Sequence, residues 1–352
     1  MAYRTITKPL DYFNTKIYTG NDSTQSITGI GFQPDLWWNK SRSGTHSAGV
    51  HCLYDSVRGV TKRLQSNATT AEATISGVTA FDSDGVTLGS ENQSNGGSTN
   101  YVAWNWKAGT TSGITQGGAS ITPTAYSFNQ TAGFSIIKYT GGGGVATVPH
   151  GLGTAPAVII LRNTTDAENW VVYHHKNTSA PETDYLLLNS NQATTDGNTV
   201  WNDVAPTANL FTIGASGAVS GNGDNHIAYC FAEKKGYSKF GKYTANASTD
   251  GPFLYCGFKP KFLMVKRTNQ AAPWSMIDAS RNTYNPANLE LQADVTNAEA
   301  NQVDGCDFLS NGVKLRDSAD MNSGSGDTFI FMAFAEEPLV ANVGSTIPST
   351  AR

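Results

Sequence analysis

Adjacent histidines, an Asp-Gly segment and a glycine run are the features of this chain whose spacing could support metal or phosphate chemistry. His174 and His175 are neighbours, but neighbouring side chains of a strand point to opposite faces, which does not suit joint metal binding. Asp82–Gly85 resembles the start of a calcium loop, yet the bidentate Glu is missing, and Asp-Gly is chiefly a hairpin signal. Gly141–Gly144 has no Lys-Ser/Thr and no helix after it, as a phosphate loop requires. We therefore predict no metal site and no cofactor, with calcium at Asp82–Gly85 as the alternative.

A polysaccharide-cleaving enzyme is the catalytic alternative. Glycoside hydrolysis needs two carboxylates across a cleft. Asp55 and Asp278 end the same strand of the first and third repeats, and the second repeat has His174 at that point. A polar residue that recurs at a strand end is more readily a structural hydrogen-bonding group than an acid or base. The chain also lacks a GxSxG elbow and an HExxH motif. We predict that it is not an enzyme, and a depolymerase is the least favoured class.

The elements that position these residues recur along the chain. A closing strand appears as Val102–Lys107, Ile227–Glu233 and Ile330–Glu336. Upstream of each closing strand lies a Gly-x-x-Pro signal followed by an apolar run. Each repeat also begins with an opening strand that contains a tyrosine. The number of residues from one Gly-x-x-Pro signal to the next equals the number from one of these tyrosines to the next, to within one position. Short strands separated by turn signals are typical of antiparallel sandwiches. The pattern predicts an all-β fold of three tandem antiparallel β-sandwich-like repeat modules, with a short helix as an option at Pro286–Ala300.

These repeats divide the chain into six segments. They are an N-terminal arm (1–15), module 1 (16–108), a Gly/Ser/Thr-rich linker (109–131), module 2 (132–236), module 3 (237–337) and a C-terminal tail (338–352). Modules 2 and 3 meet at the seam Asn225–Ala247 with almost no linker. We therefore expect modules 2 and 3 to move as one body, with module 1 set apart.

Composition limits the partners and the compartment. Only 15% of the residues are charged and the formal net charge is −4, so nucleic-acid binding is not expected. The N-terminus lacks the features of a signal peptide, and no apolar run is long enough to span a membrane. The four cysteines have no CxxC spacing and lie in apolar runs, which predicts buried free thiols; a Cys230–Cys256 bridge is the alternative. They are Cys52, Cys230, Cys256 and Cys306.

The closing strands have two different faces. One face carries large residues such as Val102, Trp104 and Trp106 and is predicted to face the core. The other face carries small residues in modules 2 and 3, which would let a neighbouring surface approach closely. We expect this face to be covered by another module or another subunit. The contact candidates are Ala228, Cys230, Ala232, Ala333 and Ala335.

Module 1 differs from the other two at polar positions. Asn39 stands where the other repeats have Leu161 and Val265, and Trp37 lies two residues before it. A half-exposed Trp37 beside Asn39 would form a platform for a sugar ring or a partner chain; packing of Trp37 under a loop is the better-supported alternative, because most Trp side chains are largely buried. The candidate binding or interface residues are Trp37, Asn39, Asn105 and Trp104.

Several runs of the chain resemble a module of tailed-bacteriophage virion proteins that is common in tail fibres and surface proteins of marine and cyanobacterial phages. They include Ala132–Gly141, His150–Gly153, Ile227–Ala232, Gly251–Phe258 and Asp307–Leu315. The resemblance covers roughly Asp11 to Pro338, and the first copy departs most, with Trp106-Lys107-Ala108 in place of Phe-Ala-Glu.

The resemblance implies a structural protein on the surface of a virion, assembled in the host cytoplasm. We expect a tail-fibre or appendage component in host attachment that contacts other virion proteins and host cell-surface glycan. A homotrimer is expected by analogy with such proteins. A head decoration or tail-junction protein is the alternative, favoured by the arm-like termini and by the lack of a long fibrous shaft.

Overall fold

A computed structural model describes residues 5–339, with the side chains of 303 and 304 excepted. The predicted all-β fold is confirmed: three large sheets follow one another along the chain, and their strands pair in antiparallel fashion. The few helices are single turns of four residues or short 3-10 turns at Pro9–Asp11 and Pro181–Thr183. None of the helices in the described residues has the length and apolar character needed to cross a membrane.

The first stretch of the chain forms sheet 1 and a smaller sheet. Its elements are β1 (Phe13–Thr19), β2 (Gln25–Thr28), β3 (Leu36–Gly44), β4 (Cys52–Asp55), β5 (Lys62–Gln65), β6 (Ala73–Thr74), β7 (Val78–Asp82), β8 (Gly85–Leu88), α1 (Asn92–Asn95) and β9 (Thr99–Trp106). Sheet 1 has the order β1-β9-β3-β4-β5-β6, and the smaller sheet has the order β2-β8-β7. The strands β7 and β8 are joined by a two-residue turn, so Asp82–Gly85 is the hairpin that the Asp-Gly signal predicts.

The second stretch forms sheet 2. Its elements are β10 (Ala125–Asn129), β11 (Phe134–Thr140), β12 (Ala146–Pro149), β13 (Val158–Asn163), β14 (Val171–His174), β15 (Asp184–Leu187), β16 (Thr195–Asp196), α2 (Asn198–Trp201), β17 (Leu210–Ile213), α3 (Gly217–Ser220) and β18 (Asn225–Phe231). Sheet 2 has the order β10-β11-β18-β13-β14-β15-β16, and β12 pairs with β17 in a separate ribbon.

The third stretch forms sheet 3. Its strands are β19 (Ser238–Thr244), β20 (Phe253–Tyr255), β21 (Phe258–Arg267), β22 (Trp274–Asp278), β23 (Ala287–Gln292), β24 (Ala300–Leu309), β25 (Gly312–Leu315) and β26 (Thr328–Pro338). They lie in the order β19-β26-β21-β22-β23-β24-β25-β20. The helix considered for Pro286–Ala300 is wrong, because β23 occupies its first half and pairs with β22 and β24.

The same pairing order occurs in all three sheets. An opening strand (β1, β11 or β19) pairs with a closing strand (β9, β18 or β26), and the closing strand pairs with the strand after the Gly-x-x-Pro signal (β3, β13 or β21). The register is also shared, since Leu36, Val158 and Phe262 lie opposite Trp106, Phe231 and Phe334. Residues at matching register positions are called equivalent below.

One face of each large sheet packs into a core that all three sheets share. Phe13 of sheet 1 stacks on Phe334 of sheet 3 with ring centroids 5.0 Å apart, and Trp106 contacts both Phe231 and Phe334 edge-on. These rings are fully buried or nearly so, and large aromatic side chains dominate the energetics of such cores. The prediction that module 1 is set apart is therefore wrong: its inner face is part of the same core as those of sheets 2 and 3.

The predicted arm and linker also contribute to the body. β1 begins at Phe13, within the predicted arm, and Thr5 donates from its backbone to Lys235 O at the seam between sheets 2 and 3, at 3.2 Å. Strand β10 lies in the predicted linker and pairs along β11. The Gly/Ser/Thr-rich composition of this segment predicts a linker. Composition does not reveal that the free edge of β11 is available to pair with Ala125–Asn129. Residues 340–352 of the predicted tail lie outside the described residues.

Candidate functional site

Trp104, one of the predicted binding residues, lies where sheet 1 meets sheet 3. Its side chain is fully buried, and its indole Nε1 donates to Oδ2 of Asp278 at 3.1 Å. The guanidinium carbon of Arg281 stands 5.7 Å from the centroid of the indole ring, which is a cation–π distance. Trp104 therefore forms an interface inside the chain and offers no surface to a ligand.

An equivalent contact joins sheet 2 to sheet 1. Tyr229 is the equivalent of Trp104, and its phenol donates to Oδ2 of Asp55 at 2.8 Å. The third junction, between sheets 3 and 2, has Met332 at this position and no donor. There His174, the equivalent of Asp55 and Asp278, has its Nε2 at 3.3 Å from the carbonyl of Phe331. The closing strand of sheet 1 thus contacts sheet 3, that of sheet 3 contacts sheet 2, and that of sheet 2 contacts sheet 1. The three sheets therefore close into a ring.

Each of the two aspartates of this ring is paired with an arginine three residues later. Asp55 Oδ2 accepts from Arg58 Nε at 2.5 Å, and Asp278 Oδ2 accepts from Arg281 Nε at 2.5 Å. All four side chains are at most 1% exposed. Burial by itself lowers the pKa of Arg58, but Asp55, Tyr229 and Glu72 together outweigh burial and raise that pKa above its usual value. Both carboxylates are therefore held in buried ion pairs at contacts between the sheets.

A second set of contacts between the sheets uses ring N–H groups and backbone carbonyls. Trp170 Nε1 donates to Gln65 O at 2.7 Å, which joins sheet 2 to sheet 1. Trp274 Nε1 donates to Leu187 O at 2.8 Å, which joins sheet 3 to sheet 2. His51, at the equivalent position of sheet 1, has Nε2 at 2.9 Å from Gln292 O of sheet 3.

A third set places one buried cation of each sheet on carbonyls of its neighbour. Arg162 donates from Nη2 to Thr69 O at 2.5 Å and to Thr70 O at 2.8 Å. Lys266 Nζ donates to Asn191 O at 2.9 Å, and Lys40 Nζ donates to the carbonyl of Thr296 at 3.3 Å. Burial lowers the pKa of Lys40 and Lys266 to about 8 and that of Arg162 to about 10. The carbonyl oxygens supply the hydrogen bonds that a buried cation requires.

The polar residues that distinguish module 1 are buried as well. Trp37 is fully buried and donates from Nε1 to Oδ1 of Asn39 at 3.0 Å. Asn39 in turn donates to Gln93 O at 3.2 Å. Asn105 is also fully buried and donates to Asn14 O at 3.0 Å. The prediction of a half-exposed platform is wrong, because the smaller sheet β2-β8-β7 covers this face and packs Trp37 into its own core.

The small residues of the closing strands do not contact another module or subunit. Ala228, Cys230 and Ala232 belong to a core inside the second stretch of the chain, and Ala333 and Ala335 belong to a core inside the third. The prediction that this face is covered holds, but the stretch's own second layer covers it. Alternation of residue types along a strand reveals its two faces, but it does not tell which face contacts another sheet. The large residues on the opposite face make the contact between the large sheets.

The cysteines and the histidines His150 and His174 are buried as well. All four cysteines are buried and free. Burial lowers the pKa of His150 to about 4 and that of His174 to about 3, so both are neutral near pH 7 and contact backbone carbonyls through Nε2. In residues 5–339, no group of three or more His, Cys, Asp and Glu side chains could hold a metal ion.

Reasoning from the sequence missed the buried cations and the ring N–H donors. Lys40, Arg162 and Lys266 lie opposite Val102, Ile227 and Ile330 in the closing strands. Aligning the three repeats would have placed these cations in one column. A basic residue at one position of an otherwise apolar strand was the available signal.

A protein-family model described as "Domain of unknown function (DUF7483)" matches residues 8–338. The matched residues include all three sheets. No curated protein and no solved structure matches the chain.

Proposed function

We propose that this chain, which belongs to the DUF7483 family of domains of unknown function, is a non-catalytic structural protein on the surface of a tailed-phage virion. Its role is that of a tail-fibre or appendage component in host attachment. It is assembled in the host cytoplasm, and its partners are other virion proteins and host cell-surface glycan.

The observation that carries the structural part of this proposal is how the chemistry-bearing side chains are used. Asp55, Asp278 and Trp104 are the residues that a sequence reading would offer for catalysis or ligand binding, and all are fully buried at contacts between the sheets. Their groups hold the ring together and face no cleft. A protein built in this way acts through the shape and surface of a rigid body, which suits a component of a particle.

The virion part of the proposal is supported by the runs that resemble phage surface modules, such as Ala132–Gly141 and Asp307–Leu315. A homotrimer stays a prediction, because the residues offered for subunit contact are buried within sheets 2 and 3. One chain already supplies three equivalent sheets around a common centre.

A head decoration or tail-junction protein is the second candidate. The three sheets share one core, and the described residues contain no fibrous shaft. A ring of three sheets of this kind fits a protein that sits on a particle as a cap or joint.

Immunogold electron microscopy of the phage that encodes this chain tests the proposal. Label at the tail tip or on its appendages is expected, with pre-immune antibody as the control. Label confined to the capsid shell would favour the second candidate, and particles without label would overturn the virion assignment. Purified protein should release no reducing ends from host polysaccharide; measurable release would overturn the non-catalytic role.

A further inference from the structure

A groove of about 610 Å³ lies beside sheet 3, between the two strands that end it. Strand β19 is the first strand of this sheet and β20 is the last, and both contribute residues to the groove together with the turn 175–181 of sheet 2. The sheet therefore curls until its two edges face each other across an opening. A volume of this size is typical of small-ligand sites.

Two exposed aromatic side chains form one wall of the groove. Phe253 is 43% exposed and Tyr255 is 59% exposed, while Leu254 between them is buried in the core of sheet 3. Residues two apart on a strand lie on the same face, so the two rings stand side by side. Rings on one strand face, rather than scattered singly, indicate a contact surface.

The residues that line the groove carry positive charge, although the chain as a whole is negatively charged. Lys176 and Lys242 line it, and neither makes an ion pair among the described residues. Lys239 lies there too and is paired with Glu233 at 2.8 Å. The described residues that line this groove include no Asp or Glu, whereas the whole chain carries a formal net charge of −4. Because Lys176 and Lys242 are not neutralised by an ion pair, they can attract an anionic ligand.

A comparison with sheet 2 shows that the edge of sheet 3 in the groove does not accept an added strand. There β10 pairs along β11, with Ser127 opposite Ile136, the equivalent of Phe240. In sheet 3 side chains have taken these backbone groups: Phe240 N donates to Glu233 Oε2 at 3.3 Å, and Phe240 O lies 2.9 Å from His175 Nε2. Because side chains cap this edge, a peptide strand would find its central hydrogen bonds already made.

We propose that the groove binds an acidic saccharide. The apolar C–H face of a sugar ring packs on Phe253 and Tyr255, and carboxylate groups of the saccharide pair with Lys176 and Lys242. This inference rests on the proposed role in host attachment and names the class of glycan involved.

An array of uronate-bearing, sialylated and neutral oligosaccharides tests this inference with the intact chain. We expect binding to acidic members and not to their carboxyl-reduced counterparts. For the best acidic binder, the change Y255A should raise Kd about tenfold, and the double change K176M/K242M should raise Kd about five- to tenfold at low salt. The double variant should also lose most of the salt dependence of binding.

Two matched variants serve as controls. Lys138 is the equivalent of Lys242 on sheet 2, and Tyr284 is an aromatic residue that is 79% exposed outside the groove. K138M and Y284A should bind as the unaltered chain does.

Several outcomes would overturn the saccharide assignment. They are no binding to any acidic member, equal binding of the carboxyl-reduced form, equal loss in the control variants, and displacement of the saccharide by poly-glutamate at equal charge. If the immunogold label lies on the tail and no saccharide binds, this inference fails and the proposed function stands. If acidic saccharide binds and no label is found on particles, the proposed function fails and the site stands.

Discussion

Replacing Asp278 by Asn should destabilise the whole three-sheet body. The Asp278 carboxylate accepts from the indole of Trp104 at 3.1 Å, from the backbone of Ser280 at 3.0 Å and of Arg281 at 2.9 Å, and from the Arg281 guanidinium at 2.5 Å. Every group that contacts this carboxylate is a hydrogen-bond donor. The NH₂ group of an asparagine at this position would therefore face another donor and lose the hydrogen bond. The fully buried Arg281 would keep only Glu299, at 3.0 Å, as its ion-pair partner.

The expected cost follows from that geometry. Removing one partner of a buried ion pair costs about 3–5 kcal/mol, and the lower end applies here because Arg281 keeps an ion pair with Glu299, which it shares with Arg42. An unfolding entropy of about 2.1 cal/mol/K per residue gives about 0.7 kcal/mol/K for a body of this size, so a loss of about 3 kcal/mol lowers Tm by about 4 °C. The measurement is differential scanning calorimetry, combined with urea unfolding followed by tryptophan fluorescence.

A matched control uses an aspartate in a partly exposed pair. Asp307 pairs with Arg316 at 2.7 Å, and the Arg316 side chain is 44% exposed. Asp307→Asn should therefore cost less than about 1 kcal/mol. The reasoning is refuted if Asp278→Asn costs no more than this control, or if it produces a separate early transition of sheet 3 while the rest of the chain unfolds unchanged.

The remaining predictions concern the same buried groups. Tyr229→Phe should cost about 1.5–3 kcal/mol in urea unfolding, because it deletes a hydrogen bond to the charged Asp55; a neutral effect would contradict the contact between sheets 2 and 1. The folded-state pKa values of His150 and His174 are depressed to about 4 and about 3, so their contribution to stability is present above pH 6.5 and is lost as pH falls below it. Tm should drop between pH 7 and pH 5, and His150→Gln should flatten that slope; an unchanged slope would count against a neutral buried imidazole. Burial raises the pKa of Cys52 and Cys230 to about 12, so a thiol reagent at pH 8 should label no cysteine of the native chain and all four after denaturation; rapid native labelling would contradict their burial.

Much of the fold could be predicted from the sequence because its signals are local and repeated. The predicted closing strands Ile227–Glu233 and Ile330–Glu336 overlap the observed strands β18 and β26. The equivalence of Asp55, His174 and Asp278 was also readable, and the structure gives it meaning as the position where each sheet meets its neighbour.

The errors concern relations that alternation alone does not contain. The half-exposed alternative for Trp37 rests on Asn39 on the same face and is wrong, whereas the better-supported alternative, a buried Trp37, is correct. Nothing local shows that β2, β7 and β8 form the sheet that covers it. The separation of module 1 was inferred from linker length, and linker length says nothing about whether two inner faces bury each other.

The candidate site was predicted less well than the fold for the same reason. Trp104 is one of the predicted binding or interface residues, and it lies at a buried contact inside the chain, whose partner, Asp278, belongs to another repeat far along the sequence. The groove between β19 and β20 depends on how sheet 3 curls, which no short stretch of sequence encodes. Phe253 and Tyr255 alternate with a buried Leu254 as any strand with one exposed face would.

Native-state hydrogen exchange in increasing denaturant tests most directly whether the three sheets are one body around one core. The amides of the closing strands β9, β18 and β26 should converge on a single opening free energy, because each strand packs into the shared core. Exchange of β9 through a separate opening at lower denaturant, with β18 and β26 still protected, would show that sheet 1 is an independent unit and would contradict the account.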